Sequence, residues 1–365
     1  VVEAWQIVVA ILGIAGPLAL GFLVGQPGIG TFASFGGLAM SGTGSGQTFR
    51  EQAVGMAYAL IAGSTAMLLG SIINGQGALT SFGIPALAAL AGILGGISRL
   101  MVRASIQFTL YVIIAAHLGN QSLNPLAAML IFSLGAFGTA ILTLFLRPVF
   151  WAVFPSAKRP VSSTPSPKYS AAQLLRRWRR SLCRLSGWQY TIRITLCLAA
   201  AQALQWLWPH PRVYWVSITV VLVVQRLPMA AWQRTLQRAA GTALGVALTC
   251  IFLLGMPPGW VLIAIIAALA AMNRLLWQVN YAAYTAVMTP LIILLLDFGQ
   301  EIDGMVIAVR LAATMAGCLL ALTLGYLPWS RYSFRAHQAG GPSSMRPYLT
   351  EMEGVLQSSG PDHKA

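Results

Sequence analysis

Apolar runs of roughly 15 to 22 residues recur along this chain from Trp5 to Leu327, each close to the length that crosses a bilayer. A helix needs about 20 residues for about 30 Å of hydrocarbon, and in lipid every backbone N–H and C=O must be satisfied within the protein. The runs therefore read as membrane-spanning helices. Their continuity argues against a barrel, whose short strands alternate apolar and polar residues. Composition agrees: 57% of the 365 residues are hydrophobic and 8% charged, against about a quarter charged in soluble domains.

Hydropathy places six spans near residues 5–24, 28–42, 52–73, 82–98, 105–119 and 124–146, and six more near 190–208, 213–227, 236–255, 258–273, 280–296 and 305–327. The expected fold is all-α, a polytopic membrane protein of about twelve transmembrane helices. Span two is short and rich in glycine, which suggests a broken or partly re-entrant segment. The first run lacks a basic flank and continues into the bundle, so it reads as a span and not as a cleavable signal peptide. Four units follow: a first half over 1–150, a linker with a basic helix over 151–189, a second half over 190–330, and a tail over 331–365 whose Gly, Pro, Ser and charge read as disordered.

Charge sets the expected orientation. Arg50, Arg99, Arg103, Arg226, Arg234, Arg238 and Arg274, with the basic interval from Arg147 to Arg184, lie in or beside loops that follow even-numbered spans; the other loops hold Arg212 and little else basic. The positive-inside rule then puts both termini in the cytoplasm of a bacterial-type inner membrane, with Asp297, Glu301 and Asp303 outside. The net charge of +15 reads as leaflet anchoring, not as nucleic-acid binding. Within the interval, residues 155–169 are a Pro and Ser linker. Beyond it Ala171, Leu174, Leu175, Trp178, Leu182 and Leu185 recur at helical spacing, with Arg176, Arg177, Arg179, Arg180 and Arg184 between them. That pattern predicts an amphipathic helix lying on anionic lipid of the cytoplasmic leaflet, or else docked on the bundle.

The halves look like parallel repeats. Gln26-Pro27-Gly28 has its counterpart in His210-Pro211-Arg212, Ser98-Arg99-Leu100 in Asn273-Arg274-Leu275, and Ala116-His117-Leu118-Gly119-Asn120 in Leu296-Asp297-Phe298-Gly299-Gln300. An even number of spans per half gives both the same sense, with a transport pathway expected between them.

The stretch Tyr214-Trp215-Val216-Ser217-Ile218-Thr219, followed by Pro228, Arg234, Arg238, Gly241-Thr242 and Gly245, resembles the signature of the fusaric acid resistance and aromatic acid exporter family, to which plant malate channels are distantly related. Gly16-Pro17-Leu18-Ala19-Leu20-Gly21 and Gly25-Gln26-Pro27-Gly28 are similar in kind in the first half. The likeness covers roughly residues 10–330 and is sharpest over 213–245. It implies export of aromatic or other organic acids, in some members with a periplasmic adaptor protein. The chain lacks the long cytoplasmic domain of the larger exporters, which leaves adaptor and substrate open.

The residues suggest a binding chemistry of their own. A charge at the bilayer centre costs about 2.5 to 3.5 kcal/mol, so an intramembrane arginine should face a cavity or a partner. Arg310 lies well inside the last span, where the first half has Leu130, and a guanidinium holds a carboxylate bidentately. Pairing with Asp303 or Asp297, or snorkelling, is the alternative. Arg234 and Arg238 share one face at the cytoplasmic mouth of span nine, and serve either to attract anions or as leaflet anchors. Tyr214, Trp215 and Thr219 in span eight, and Asn280, Tyr281 and Tyr284 in span eleven, offer stacking and polar contacts for an aromatic acid, or ordinary belt and packing roles. His117 and Asp297 occupy matching repeat positions and are candidates for proton coupling, or simple helix-end polar residues. Gly241 with Gly245, Gly63 with Gly70, and Gly92 with Gly96 read as close helix packing.

No phosphate-binding loop, zinc-binding or other enzyme motif is present, and neither cofactor nor metal is expected. The expected function is inner-membrane export of an organic, aromatic acid, with proton coupling as an option. A passive organic-anion channel and a non-transporting scaffold are the alternatives, and a homo-oligomer is compatible with either half-count.

Overall fold

The computed structural model describes residues 3–43, 48–118, 123–154, 170–210, 212–224, 226, 231–253, 258–276, 279–296, 298 and 304–329. These form thirteen α-helices: α1 (Ala4–Leu23), α2 (Pro27–Ser41), α3 (Phe49–Ile73), α4 (Ala78–Leu94), α5 (Arg99–Leu118), α6 (Pro125–Val153), α7 (Ala171–Leu182), α8 (Leu185–Leu207), α9 (Trp215–Val223), α10 (Ala231–Leu253), α11 (Gly259–Leu276), α12 (Tyr281–Leu296) and α13 (Gly304–Leu320), the last continued by π-helical turns over Ala321–Tyr326. Local sequence explains several starts. Thr48 and Glu51 form a capping box at α3, Ser170 and Gln173 another at α7, and Asn124 caps α6 ahead of Pro125. Gly25, at φ 74°, turns the chain from α1 into α2.

Seven helices among the described residues are long and apolar enough to cross a membrane: Ala4–Leu23, Phe49–Ile73, Arg99–His117, Pro125–Val153, Gln233–Phe252, Gly259–Leu276 and Ala308–Trp329. α4 and α12 are shorter apolar helices. The chain is thus an all-helical, multi-pass membrane protein. The segment expected as a span at 213–227 is a helix of only 9 residues, ended by the extended backbone of Val224. The expected break in span two is absent: α2 is one continuous helix. Its glycines serve close approach instead, Gly36 lying against the Phe132 carbonyl of α6 and Gly37 against the Gly13 carbonyl of α1. The linker at 155–169 and the tail beyond 329 lie outside the described residues.

The molecule's polarity is inverted relative to a soluble domain. Leu12, Leu20, Ile61, Phe82, Leu134, Phe137, Leu244 and Ile251 face outward, whereas Arg147, Arg193, Arg238, Arg274 and Arg310 are buried. Between Glu51 and Asp297 the sequence has no Asp or Glu; amides hold two of these cations, and Arg147 also lies within electrostatic reach of Glu3. Arg147 donates to Gln52 Oε1 and lies over the Trp151 ring; Arg274 donates to Gln6 Oε1 at 2.9 Å. Packing recurs across the two halves. α3 lies on α5 as α10 lies on α12, α2 on α6 as α9 on α13, and the halves join through α1 on α11 and α4 on α8. The glycines at these contacts fit the packing role: Gly70 meets α5, Gly92 meets Thr191 of α8, and Gly241 and Gly245 meet α12. α7 is docked, its Trp178 Nε1 donating to the Ile93 carbonyl of α4 at 2.9 Å.

Candidate functional site

α9 ends at the extended backbone of Val224, and its start carries the aromatic pair. Tyr214 and Trp215 are buried, their ring centroids 5.3 Å apart. On one side, His117 of α5 stacks on Tyr214 at 5.4 Å with planes 23° apart. On the other, the Arg310 guanidinium of α13 sits 3.3 Å over the Trp215 ring centroid and is only 3% exposed. A cation, two aromatic rings and an imidazole thus form one continuous stack from three helices. Cation–π contact holds Arg310 where no carboxylate of α9 exists to do so. The acidic residues considered as its partners, Asp297 and Asp303, lie outside the described residues.

His117 is held from two directions. Its Nδ1 lies 3.0 Å from the Ile113 carbonyl and its Nε2 lies 3.2 Å from Gln205 Oε1 of α8. A carbonyl only accepts, so Nδ1 carries a proton. The Gln205 oxygen matches a second proton on Nε2, that is, an imidazolium. Turning the amide over would instead offer its nitrogen, which is buried with no acceptor among the described residues, to a neutral imidazole. Gln205 therefore supports either protonation state by a flip of its amide. One turn back, Gln202 Nε2 donates to Ser217 Oγ at 3.1 Å while its Oε1 is buried without a donor. Asp297, the other residue considered for protons, is outside the described set; its neighbours Leu295 and Phe298 lie against Thr31 of α2 and Phe22 of α1.

A second cluster lies at the arginine-rich end. The Arg234 guanidinium sits 4.3 Å over the Tyr281 ring, Tyr281 stacks on Tyr284 at 6.1 Å, and Arg238, buried, lies within electrostatic reach of Tyr284. Tyr111 of α5 reaches the same place from the first half. Asn280 is exposed and its Oδ1 accepts from Ala282 N, which makes it the cap of α12. α13 links the clusters. From Arg310 its inward face runs through Thr314 and Gly317 to Cys318, which lies 4.0 Å from the Thr235 carbonyl and within reach of Arg238. The rise from 310 to 318 is about 12 Å. Along the way Thr219, packed against Gly317, and Thr242 have buried hydroxyls with no partner among the described residues.

The sequence reading did not single out Gln202 or Gln205. Their signal was present, because amides three residues apart in an otherwise apolar span are costly unless used.

The family model described as fusaric acid resistance protein-like matches residues 196–324. The match takes in both arginine clusters and α9 and begins well after His117 in the chain. No curated protein and no solved structure matches the chain.

Proposed function

We propose that this multi-pass protein, whose residues 196–324 match the fusaric acid resistance protein-like family model, exports organic, chiefly aromatic, carboxylates across a bacterial inner membrane. The observation that carries the reading is the Arg310 guanidinium seated on Trp215 with Tyr214 and His117 behind it. A guanidinium seated on a ring can meet a carboxylate bidentately, and the rings beside it suit an aromatic body. His117, with the reversible Gln205 amide, is the group that would carry a proton in a coupled cycle.

The architecture proposed is twelve spans in two parallel six-helix repeats, both termini cytoplasmic. Matched packing supports it: α1 on α11 answers α8 on α4, and α4 on α5 answers α11 on α12. Arg234 and Arg238 then face the cytoplasm and gather anions from it.

The test is flux of a labelled hydroxybenzoate in proteoliposomes, with and without a pH gradient, for the native chain and Arg310→Ala. Loss of a charge-assisted bidentate contact, about 1.5 to 3 kcal/mol, lowers flux roughly 10- to 150-fold. Gradient-driven accumulation lost with Arg310 supports a coupled exporter. Downhill leak that ignores the gradient favours a passive channel through the same residues. Flux that survives Arg310→Ala unchanged, or no flux of any acid, removes the reading. His117→Ala with an unchanged pH dependence removes the proton role alone.

A further inference from the structure

A third group of arginines stands apart from both clusters, where α4 ends. Arg226 follows α9 and reaches across to the other half, donating Nη2 to the Gly92 carbonyl at 2.8 Å with its guanidinium 4.4 Å over the Tyr190 ring of α8. Arg193, one turn beyond Tyr190, donates Nη2 to the Arg226 carbonyl at 3.1 Å and lies 5.6 Å over Tyr326. The two cations are within electrostatic reach of each other. Their surroundings are phenols and carbonyls, and no residue from 52 to 296 is acidic.

Three observations point to an anion here. Arg226 Nε is buried with no acceptor among the described residues, although a guanidinium presents every N–H as a donor. Gly95 makes room for the guanidinium itself and so fixes the cation at the end of α4, since a Cβ there would stand 2.5 Å from Arg226 Nη2 and 2.6 Å from Ser105 Oγ. A second cation, Arg193, lies within electrostatic reach of Arg226, and no acidic residue between positions 52 and 296 offsets the pair. The sequence around the site adds the kind of anion. Trp178 binds the Ile93 carbonyl, the next one along from Gly92, and so holds α7 over the site with Arg176, Arg177, Arg179, Arg180 and Arg184 exposed. Beside them Leu175, Leu185 and Trp188 are exposed apolar groups. Inner cations, outer cations and an apolar skirt at a helix end form the surface that an acyl chain with an anionic head would cover.

We propose that the end of α4, enclosed by Arg226, Arg193, Tyr190 and α7, binds a phosphate ester: the headgroup of an anionic phospholipid, or inorganic phosphate in its place. The site does not depend on the transport reading, and binding, not flux, tests it. The full chain in detergent is loaded with phosphatidylglycerol or phosphatidylcholine and examined by native mass spectrometry, and its melting is followed with inorganic phosphate against chloride at equal ionic strength. Arg226→Gln removes the free N–H and the charge. Arg226→Lys keeps the charge and a donor for Gly92, so a folded variant is available if Gln misfolds.

A phosphatidylglycerol adduct that outlasts phosphatidylcholine, and falls at least fivefold in both variants, supports the site with lipid as its ligand. A melting rise specific to phosphate and absent from both variants supports it with free phosphate as the ligand. Equal retention of the two lipids with no phosphate effect overturns the proposal, as does a preference that survives in both variants.

Discussion

On the proposed two-repeat architecture, two crossings of this bundle occupy corresponding places, and they are built in opposite ways. Matching Pro27 with Pro211 sets Gly30 and Thr31 opposite Tyr214 and Trp215, and the repeat register sets Leu130 opposite Arg310. At the crossing of α5, α9 and α13, large side chains meet: imidazole, phenol, indole and guanidinium in one stack. Where α12, α2 and α6 meet, backbone approaches backbone. Gly30 lies against the Pro17 carbonyl, Gly36 against that of Phe132, and Gly135 against that of Ala33, while Thr31 Oγ1 reaches the Leu295 carbonyl at 3.3 Å. Leu130 points out at 55% exposure where Arg310 is 3% exposed. On the two-repeat reading, one copy of the crossing was made a clamp and the other a binding site.

The clamp should be the more fragile to added volume. Gly36→Leu puts a branched side chain where even a Cβ overlaps the Phe132 carbonyl and the Ala136 backbone. Overpacking costs about 1 to 3 kcal/mol where side chains can yield, and backbone yields less. The expected result is loss of a monodisperse, cooperatively melting protein, while Gly138→Leu, with nothing within 4 Å of its Cβ, melts as the native chain does. A Gly36→Leu protein with native melting would show that α2 is not clamped.

The binding crossing should instead respond in affinity. Trp215→Leu removes the ring under Arg310, a cation–π contact of about 0.5 to 2 kcal/mol, and raises the KM for a labelled aromatic acid roughly 2- to 30-fold. Thr31→Leu at the opposite crossing leaves KM within about twofold, since it loses one side-chain hydrogen bond far from the stack. Equal effects from the two substitutions would mean that the crossings share the ligand.

What the sequence made legible follows from the range of each interaction. Hydropathy and the arginine pattern are local, so helices such as α1, α3 and α7 were readable to within a few residues, whereas α6 runs seven residues past its expected end. The glycines of α2 misled for the same reason: in isolation they suggest a break, and only the facing carbonyls of α1 and α6 reveal close packing. The length of α9 was hidden because Val224 and Arg226 take their conformation from α4 and α8. Arg310, Trp215, Tyr214 and His117 stood out singly as costly groups in lipid. That they stack in that order depends on α5, α9 and α13 converging from distant parts of the chain, which no spacing encodes. Gln205 was passed over because its importance comes only from His117 across the bundle.

The smallest expected effect is the sharpest test of the asymmetry. Leu130→Ala trims the residue that answers Arg310 in the other half. Leu130 faces outward, toward lipid tails that are as apolar as its own side chain, so shortening it forfeits no hydrophobic drive. Melting should move by no more than about 0.5 kcal/mol, as for an ordinary surface change, and flux should stay native. Arg310→Ala removes a cation from between α9 and α13 and should act on flux by at least tenfold. Comparable loss of flux in Leu130→Ala would place a ligand at both crossings and make the pathway symmetric. A native Leu130→Ala beside an Arg310→Ala that has lost its flux confines the anion to one crossing, the one that carries aromatic rings where the other carries glycine.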